Sequence, residues 1–392
     1  MRMDHNTLKV KIIKSNNSVR LETGNDSIQI LTNGSSRPNQ ERNDFAAWFF
    51  LPVAMRSGCN IHIEGSGSEA TSRNARRMSE IWEAWFPKHF SAVDVTFEDV
   101  PSTTDAPHSV NDENLCFYSG GVDSTYTILK RHQEGKRQSL LTVHGMDYKT
   151  DNESQFLDML EKTEPFARMV SEERLIVKTD AYGTYRKYKT NMFNDGHLTH
   201  IFVLAGVGFL HSERFNELTV AADYRLDQQF TVHPYGSNLA TNFLFNDGSC
   251  SLITDSSDIS RSDKLPLLAT SDVALNSLTF CIDASKKPHN CGLCDKCIRT
   301  KLSFLVSTGS IPEIFTDMNI PSNWPASIKE KRGSQVFLIE IIMRAKHSGR
   351  IGEIPGGEKM YESLKGLHNM QPQKKRSMTT KIIRKYRKLI GS

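Results

Sequence analysis

Two groups of residues in this 392-residue chain have types and spacing that could do chemistry: the run Ser119-Gly120-Gly121-Val122-Asp123-Ser124, and the four cysteines Cys281, Cys291, Cys294 and Cys297. The run follows the apolar stretch 115–118 and leads into Thr125-Tyr-Thr-Ile-Leu, so a strand is expected to feed a Ser-Gly-Gly turn that opens a helix. Unhindered backbone N–H groups and the positive end of a helix then converge on one point, which suits a bound anion and phosphate in particular. Gly120 and Gly121 permit positive φ and close approach of a ligand, and the hydroxyls of Ser119 and Ser124 add donors. Asp123 is the odd member, because a carboxylate beside phosphate is repulsive unless a cation lies between them. It is expected to face Mg²⁺ or to orient the loop. A Walker A loop is excluded: the only Gly-Lys dipeptide, Gly135-Lys136, is followed by Arg137 and does not open from a strand. Gly206-Val207-Gly208 lies in a helical pattern and reads as helix packing.

The cysteines follow Cys-x9-Cys-x2-Cys-x2-Cys. Four soft thiolates can close a tetrahedron around zinc, and a site closed in this way is structural rather than catalytic. Cys-x2-Cys-x2-Cys also occurs in iron–sulfur proteins, although the Cys-x3-Cys-Pro element that goes with it is missing here. The other three cysteines, Cys59, Cys116 and Cys250, are scattered, so in a reducing compartment the cluster reads as metal ligands and not as disulfides.

The elements that must position these groups can be read from periodicity. Strand-like stretches at 115–118, 139–144, 175–178 and 217–222 alternate with helix-like ones at 124–133, 155–167 and 197–214, the signature of a parallel sheet covered on both faces. The expected fold is α/β with a doubly wound parallel sheet. Residues 1–105 read as a small α+β domain, with strands near 8–13, 27–31 and 60–64 and a helix at 70–86. The turn-rich stretch 101–111 reads as a linker. Residues 112–278 are then the loop-bearing domain, 279–370 a metal-stapled helical lobe, and 371–392 a basic amphipathic tail. At the ends of neighbouring strands, His144 and Asp147 are expected to wall the nucleotide, and Asp223 to lie near its phosphates or the substrate.

Ser-Gly-Gly-Val-Asp-Ser after a strand resembles the PP-loop of the N-type ATP pyrophosphatase superfamily. That resemblance implies an adenine nucleotide alpha hydrolase-like fold, ATP bound on residues 119–124, and α–β phosphate cleavage that adenylates a carbonyl or carboxyl oxygen. The loop followed by Cys-x9-Cys-Gly-x-Cys-x-x-Cys further resembles the 7-cyano-7-deazaguanine synthases, over about half the chain (114–305). Ser257 to Leu265 resembles the polar turn that precedes the metal site in that family, which implies that Arg261 and Lys264 face phosphate. The first 110 residues and the tail have no counterpart there, and 228–253 reads differently.

Apolar residues make up 38% and charged residues 24%, a soluble globular balance, and the longest apolar runs (45–55 and 201–210) are too short to span a bilayer. Met1-Arg2-Met3-Asp4-His5 is charged with no apolar stretch behind it, so a secretory signal is not expected and the expected location is cytoplasmic. The net charge of +4 hides an asymmetry. The last 22 residues hold eight cations and no acid, which leaves 41 basic against 45 acidic residues elsewhere. In the tail, Ile382, Ile383, Tyr386, Leu389 and Ile390 share one helical face, open to docking on the body, a protein partner, a membrane surface or nucleic acid.

The expected activity is that of an ATP-dependent, ligase-like enzyme. It would use ATP and Mg²⁺ to adenylate an unidentified carboxylate or amide for attack by ammonia or an amine, with Zn²⁺ on the cysteines. The alternatives are ATP-dependent sulfur transfer to a nucleobase, with Cys116 or Cys250 as the thiol, and an ATP sensor without catalysis.

Overall fold

The strand Asn114–Phe117 (β6) is buried along its whole length, as a strand covered on both faces of a sheet must be. The computed structural model describes residues 7–24, 26–33, 37–101, 114–188, 196–232, 235–327 and 332–368, and the strands among them form one ten-stranded sheet. The other strands are β1 (Thr7–Ser15), β2 (Ser18–Glu22), β3 (Ser27–Thr32), β4 (Asn60–Ser66), β5 (Val95–Asp99), β7 (Gln138–His144), β8 (Arg174–Thr179), β9 (Glu217–Ala221) and β10 (Ser251–Asp255). Their order across the sheet is β10-β9-β6-β7-β8-β3-β2-β1-β4-β5.

The run β10-β9-β6-β7-β8 is parallel throughout. Parallel neighbours need long crossovers, and the helices Val122–Gln133, Glu153–Val170 and Gly196–Phe209 supply them in chain order. Because side chains alternate along a strand, β6 and the residue after it feed two cores. Leu115 and Phe117 pack with Phe49, Phe209 and Leu218 on one face, while Cys116 and Tyr118 pack with Val122, Phe166 and Leu265 on the other.

The first hundred residues do not stand apart as the sequence suggests. β3 pairs antiparallel with β8, Leu31 opposite Lys178, so the N-terminal strands prolong the same sheet. One core runs from Val10 and Ile63 through to Val220 and Leu252. The physical reason is the edge: without β3, strand β8 would leave a row of unpaired main-chain groups. The helix Asp44–Ser57 lies between these parts with residues 44–55 all buried, packed against Gly196–Phe209. The expected linker lies almost wholly outside the described residues, as does the tail 371–392.

The described residues after Cys294 are largely helical. The helices Asp295–Thr308 and Arg332–His347 enclose a small core of Ile298, Leu302, Trp324, Ile341 and Ile342. Among the described residues no helix is long and apolar enough to cross a membrane.

Candidate functional site

Counted from β6, the parallel strands lie in the order 3-2-1-4-5. The chain leaves β6 toward β7 on one side, whereas the neighbouring β9 leads to β10 on the other. The gap beyond the carboxyl ends of β6 and β9 is therefore the topological switch point, where open α/β sheets form a crevice for ligands. The Ser-Gly-Gly turn stands at that point.

The turn is shaped by contacts that the sequence did not disclose. Gly120 has φ +73°, its carbonyl accepts the Thr279 N–H at 2.8 Å, and a Cβ there would collide with Thr279 Cγ2. Glycine is thus required on two counts, backbone conformation and space. Gly121 is the N-cap of helix Val122–Gln133. The Ser119 and Ser124 hydroxyls lie 3.2 Å apart, and Ser119 Oγ accepts the Gly121 N–H at 3.3 Å. Ser124 Oγ also donates to the Gly121 carbonyl at 3.2 Å. Ser119 is exposed, while Val122, Asp123 and Ser124 are buried.

Asp123, expected to face Mg²⁺ or to orient the loop, is met by two cations of its own chain. Lys264 Nζ donates to its Oδ1 at 2.9 Å, and Arg261 Nη1 donates to its Oδ2. The two cations expected to face phosphate are thus held by the loop's own carboxylate. Lys264 is 1% exposed and also donates to the Ala222 carbonyl at 2.7 Å, which fixes it across the ends of β6 and β9. Burial raises the Asp123 pKa, but Arg261 and then Lys264 outweigh it, and the group is held below the usual carboxylate range. Both cations arrive on helix Arg261–Leu268. Ser260 caps that helix, accepting the Asp263 N–H at 3.4 Å and donating to its carboxylate at 2.6 Å.

Two further cations that sequence reasoning did not assign join this group. Lys296 adds to the positive field on Asp123. Arg299, paired with Asp295, has its pKa lowered by burial and, against the pull of Asp295, further by Arg261. The Arg299 and Arg261 guanidinium carbons lie 4.8 and 5.7 Å from the centre of the Phe337 ring. The available signal was position, since 295–299 is the first turn of the helix that begins after Cys294.

Asp223 lies just beyond β9, with Tyr235 donating to its Oδ2 at 2.5 Å. Asp123 and Asp223 both act on Tyr224 and Tyr235, so the structure brings Asp223 toward the loop. His144 and Asp147 are not brought there by direct contact. His144 is buried, stacked on Phe156 at 4.1 Å, with Nε2 2.8 Å from the Lys149 carbonyl; burial lowers its pKa. The Asp147 carbonyl accepts Lys287 Nζ at 2.5 Å. These two residues shape a turn whose Tyr148 hydroxyl meets Thr279 Oγ1 at 2.9 Å.

The four cysteines converge as expected, every Sγ within 4.8 Å of the others. Cys281–Cys294 and Cys291–Cys297 are each 3.9 Å apart. Four sulfurs about 2.3 Å from one zinc ion would be about 3.8 Å from each other, so the set fits a single tetrahedral ion. Gly292 makes the turn possible, with φ +82° and a Cβ position that would strike the Asp317 carbonyl. Cys291 Sγ accepts the N–H groups of Leu293 and Cys294 at 3.4 and 3.3 Å. Cys297 beside it pulls the Cys294 thiol down to about 4, and Cys297 is raised in turn. Four thiols this close can hold a metal such as zinc, and they leave no open position on it. Cys281, Cys291 and Cys297 also belong to the core that holds Tyr118 and Val122.

The two other thiols near the sheet are buried. Cys116 is 1% exposed with its pKa pushed up to about 12 by burial, and burial likewise raises Cys250. The chain matches no family model, no curated protein and no solved structure.

Proposed function

We propose that this chain is an ATP-dependent, ligase-like enzyme. It binds ATP on residues 119–124, cleaves between the α- and β-phosphates, and adenylates a carboxylate or amide oxygen for attack by ammonia or an amine. One observation carries the reading: a Ser-Gly-Gly turn at the switch point, with Arg261, Lys264, Lys296 and Arg299 gathered near the first turn of its helix. The 3-2-1-4-5 parallel order, which sets the turn at a topological switch point, supports it.

In this reading the loop amides and the four cations hold the β- and γ-phosphates and stabilise charge on the departing pyrophosphate. AMP then leaves the activated carbon far more readily than hydroxide would. Asp123 as it stands does not fit a divalent cation, because each of its oxygens faces a positive group, and no step is assigned to Mg²⁺. Zinc on Cys281, Cys291, Cys294 and Cys297 supplies a structural link between the helical segment and the loop.

A non-catalytic ATP sensor is the second reading, and the neutralised Asp123 favours it. Sulfur transfer has no support, since neither Cys116 nor Cys250 offers an accessible thiolate. Titration of the full zinc-loaded chain with ATP tests the site itself. Saturable binding that Gly120→Ala weakens is expected, and binding indifferent to that substitution would place the nucleotide elsewhere.

A further inference from the structure

We infer that Phe337 positions Arg261 and Arg299 as a two-armed clamp for the β- and γ-phosphates, so that the helix Arg332–His347 completes the nucleotide site. The inference rests on the nucleotide reading above and adds to it a positioning residue from the C-terminal helices. The Arg299 and Arg261 guanidinium carbons lie 4.8 and 5.7 Å from the centre of this one ring. Two like charges brought so near each other repel, and the attraction of each to the aromatic ring offsets that repulsion. Phe337 itself has little freedom. It is buried, and it stacks on Tyr224 with ring centres 5.1 Å and planes 17° apart, while Tyr224 meets Tyr235 edge-on at 5.2 Å. Tyr235 donates to Asp223, so the stack is tied to the end of β9 at the switch point.

The helix that carries Phe337 is fastened to both helices that carry the arginines. Ser334 Oγ donates at 3.1 Å to Asp295 Oδ2, on the carboxylate whose other oxygen holds Arg299. Beyond Phe337, Glu340 Oε1 accepts the Ser262 N–H at 3.0 Å, and its Oε2 accepts from Gln228 Nε2 at 2.8 Å. One turn further on, Arg344 donates to Asp263. Neither arginine has to leave its carboxylate to bind an anion. Arg261 uses Nη1 on Asp123 and Arg299 uses Nε on Asp295, and a guanidinium has further N–H groups to give. The two side chains keep 13% and 11% exposure, so a ligand can reach them. Paired guanidinium donors match two linked phosphates, and a single phosphate engages only part of such a pair.

The test compares ATP and AMP binding by calorimetry to the full zinc-loaded chain. Phe337 is replaced by its mono-, di- and trifluorinated forms, which keep the ring's shape and progressively drain its face of negative charge. ATP affinity should fall stepwise, by about threefold or more for the trifluorinated ring, while AMP affinity stays within about twofold of wild type. Phe337→Leu should cost about tenfold for ATP, and the fluorinated series decides the matter if that variant fails to fold. With Arg299→Gln in place, fluorination should change ATP affinity much less than in wild type. ATP affinity that ignores fluorination, or rises with it, would overturn the inference, as would equal losses for ATP and AMP. In those cases wild type still binds ATP and the nucleotide reading stands. If wild type binds neither nucleotide, the nucleotide reading falls and the inference falls with it.

Discussion

Thr279 donates its main-chain N–H to the carbonyl of Gly120 at 2.8 Å, and its side chain occupies the place where a Cβ at 120 would lie. Two residues later the chain reaches Cys281. The loop and the cysteine cluster are thus parts of one assembly, although more than 150 residues separate them in sequence. Several consequences can be measured.

Gly120→Ala should fold but lose ATP affinity. The substitution adds strain of about 1–3 kcal/mol at a positive φ and displaces Thr279. Calorimetric titration with ATP should show a loss of about tenfold or more, alongside a modest drop in Tm.

The purified chain should carry one zinc ion per molecule by elemental analysis. Cys294→Ser, or removal of the metal by a chelator, should lower Tm and weaken ATP binding together, because the cluster packs with Tyr118 and Val122 under the loop. A metal-free protein that keeps full ATP affinity would disprove the link through Thr279.

Asp123→Asn should destabilise the fold by about 3–5 kcal/mol in urea, since it leaves Lys264 buried beside a neutral partner. The pH dependence follows from the depressed pKa of Asp123. A carboxyl whose folded-state pKa lies below its unfolded value of about 3.9 stabilises the protein above that value. This contribution is lost as pH falls through the folded pKa, so urea midpoints of wild type and Asp123→Asn should converge only in strong acid.

Cys116 and Cys250 should resist alkylation in the folded protein at pH 8, because burial keeps both thiols protonated. Mass spectrometry after brief iodoacetamide treatment checks this. Rapid labelling of Cys250, with activity lost in Cys250→Ala, would revive the persulfide route.

Much of the site could be read in the sequence, because its signals are local. The glycine pair, the strand before it and the spacing of the cysteines each express a short-range requirement, and β6 to β9 fall within a few residues of their expected places. What escaped the reading was long-range. The helix Asp44–Ser57 shows no amphipathic period because it is surrounded by protein. The pairing of β3 with β8 joins residues about 150 positions apart, and no local pattern announces it. Strands β2, β5 and β10 are only five residues each, too short for alternation to stand out. Arg261 and Lys264 were placed near the loop through a resemblance, but only the three-dimensional arrangement shows that Asp123 is what they grip.

The identity of the product formed from ATP tests the central claim most directly. The full zinc-loaded chain would be incubated with Mg-ATP labelled at the α-phosphate, ammonium, and cell extract either desalted or intact, with Asp123→Ala as control. AMP and pyrophosphate above control, and more with intact extract, is the predicted result. ADP, or ATP bound but never converted to AMP in an Asp123-dependent way, would contradict it and leave the sensor reading in its place.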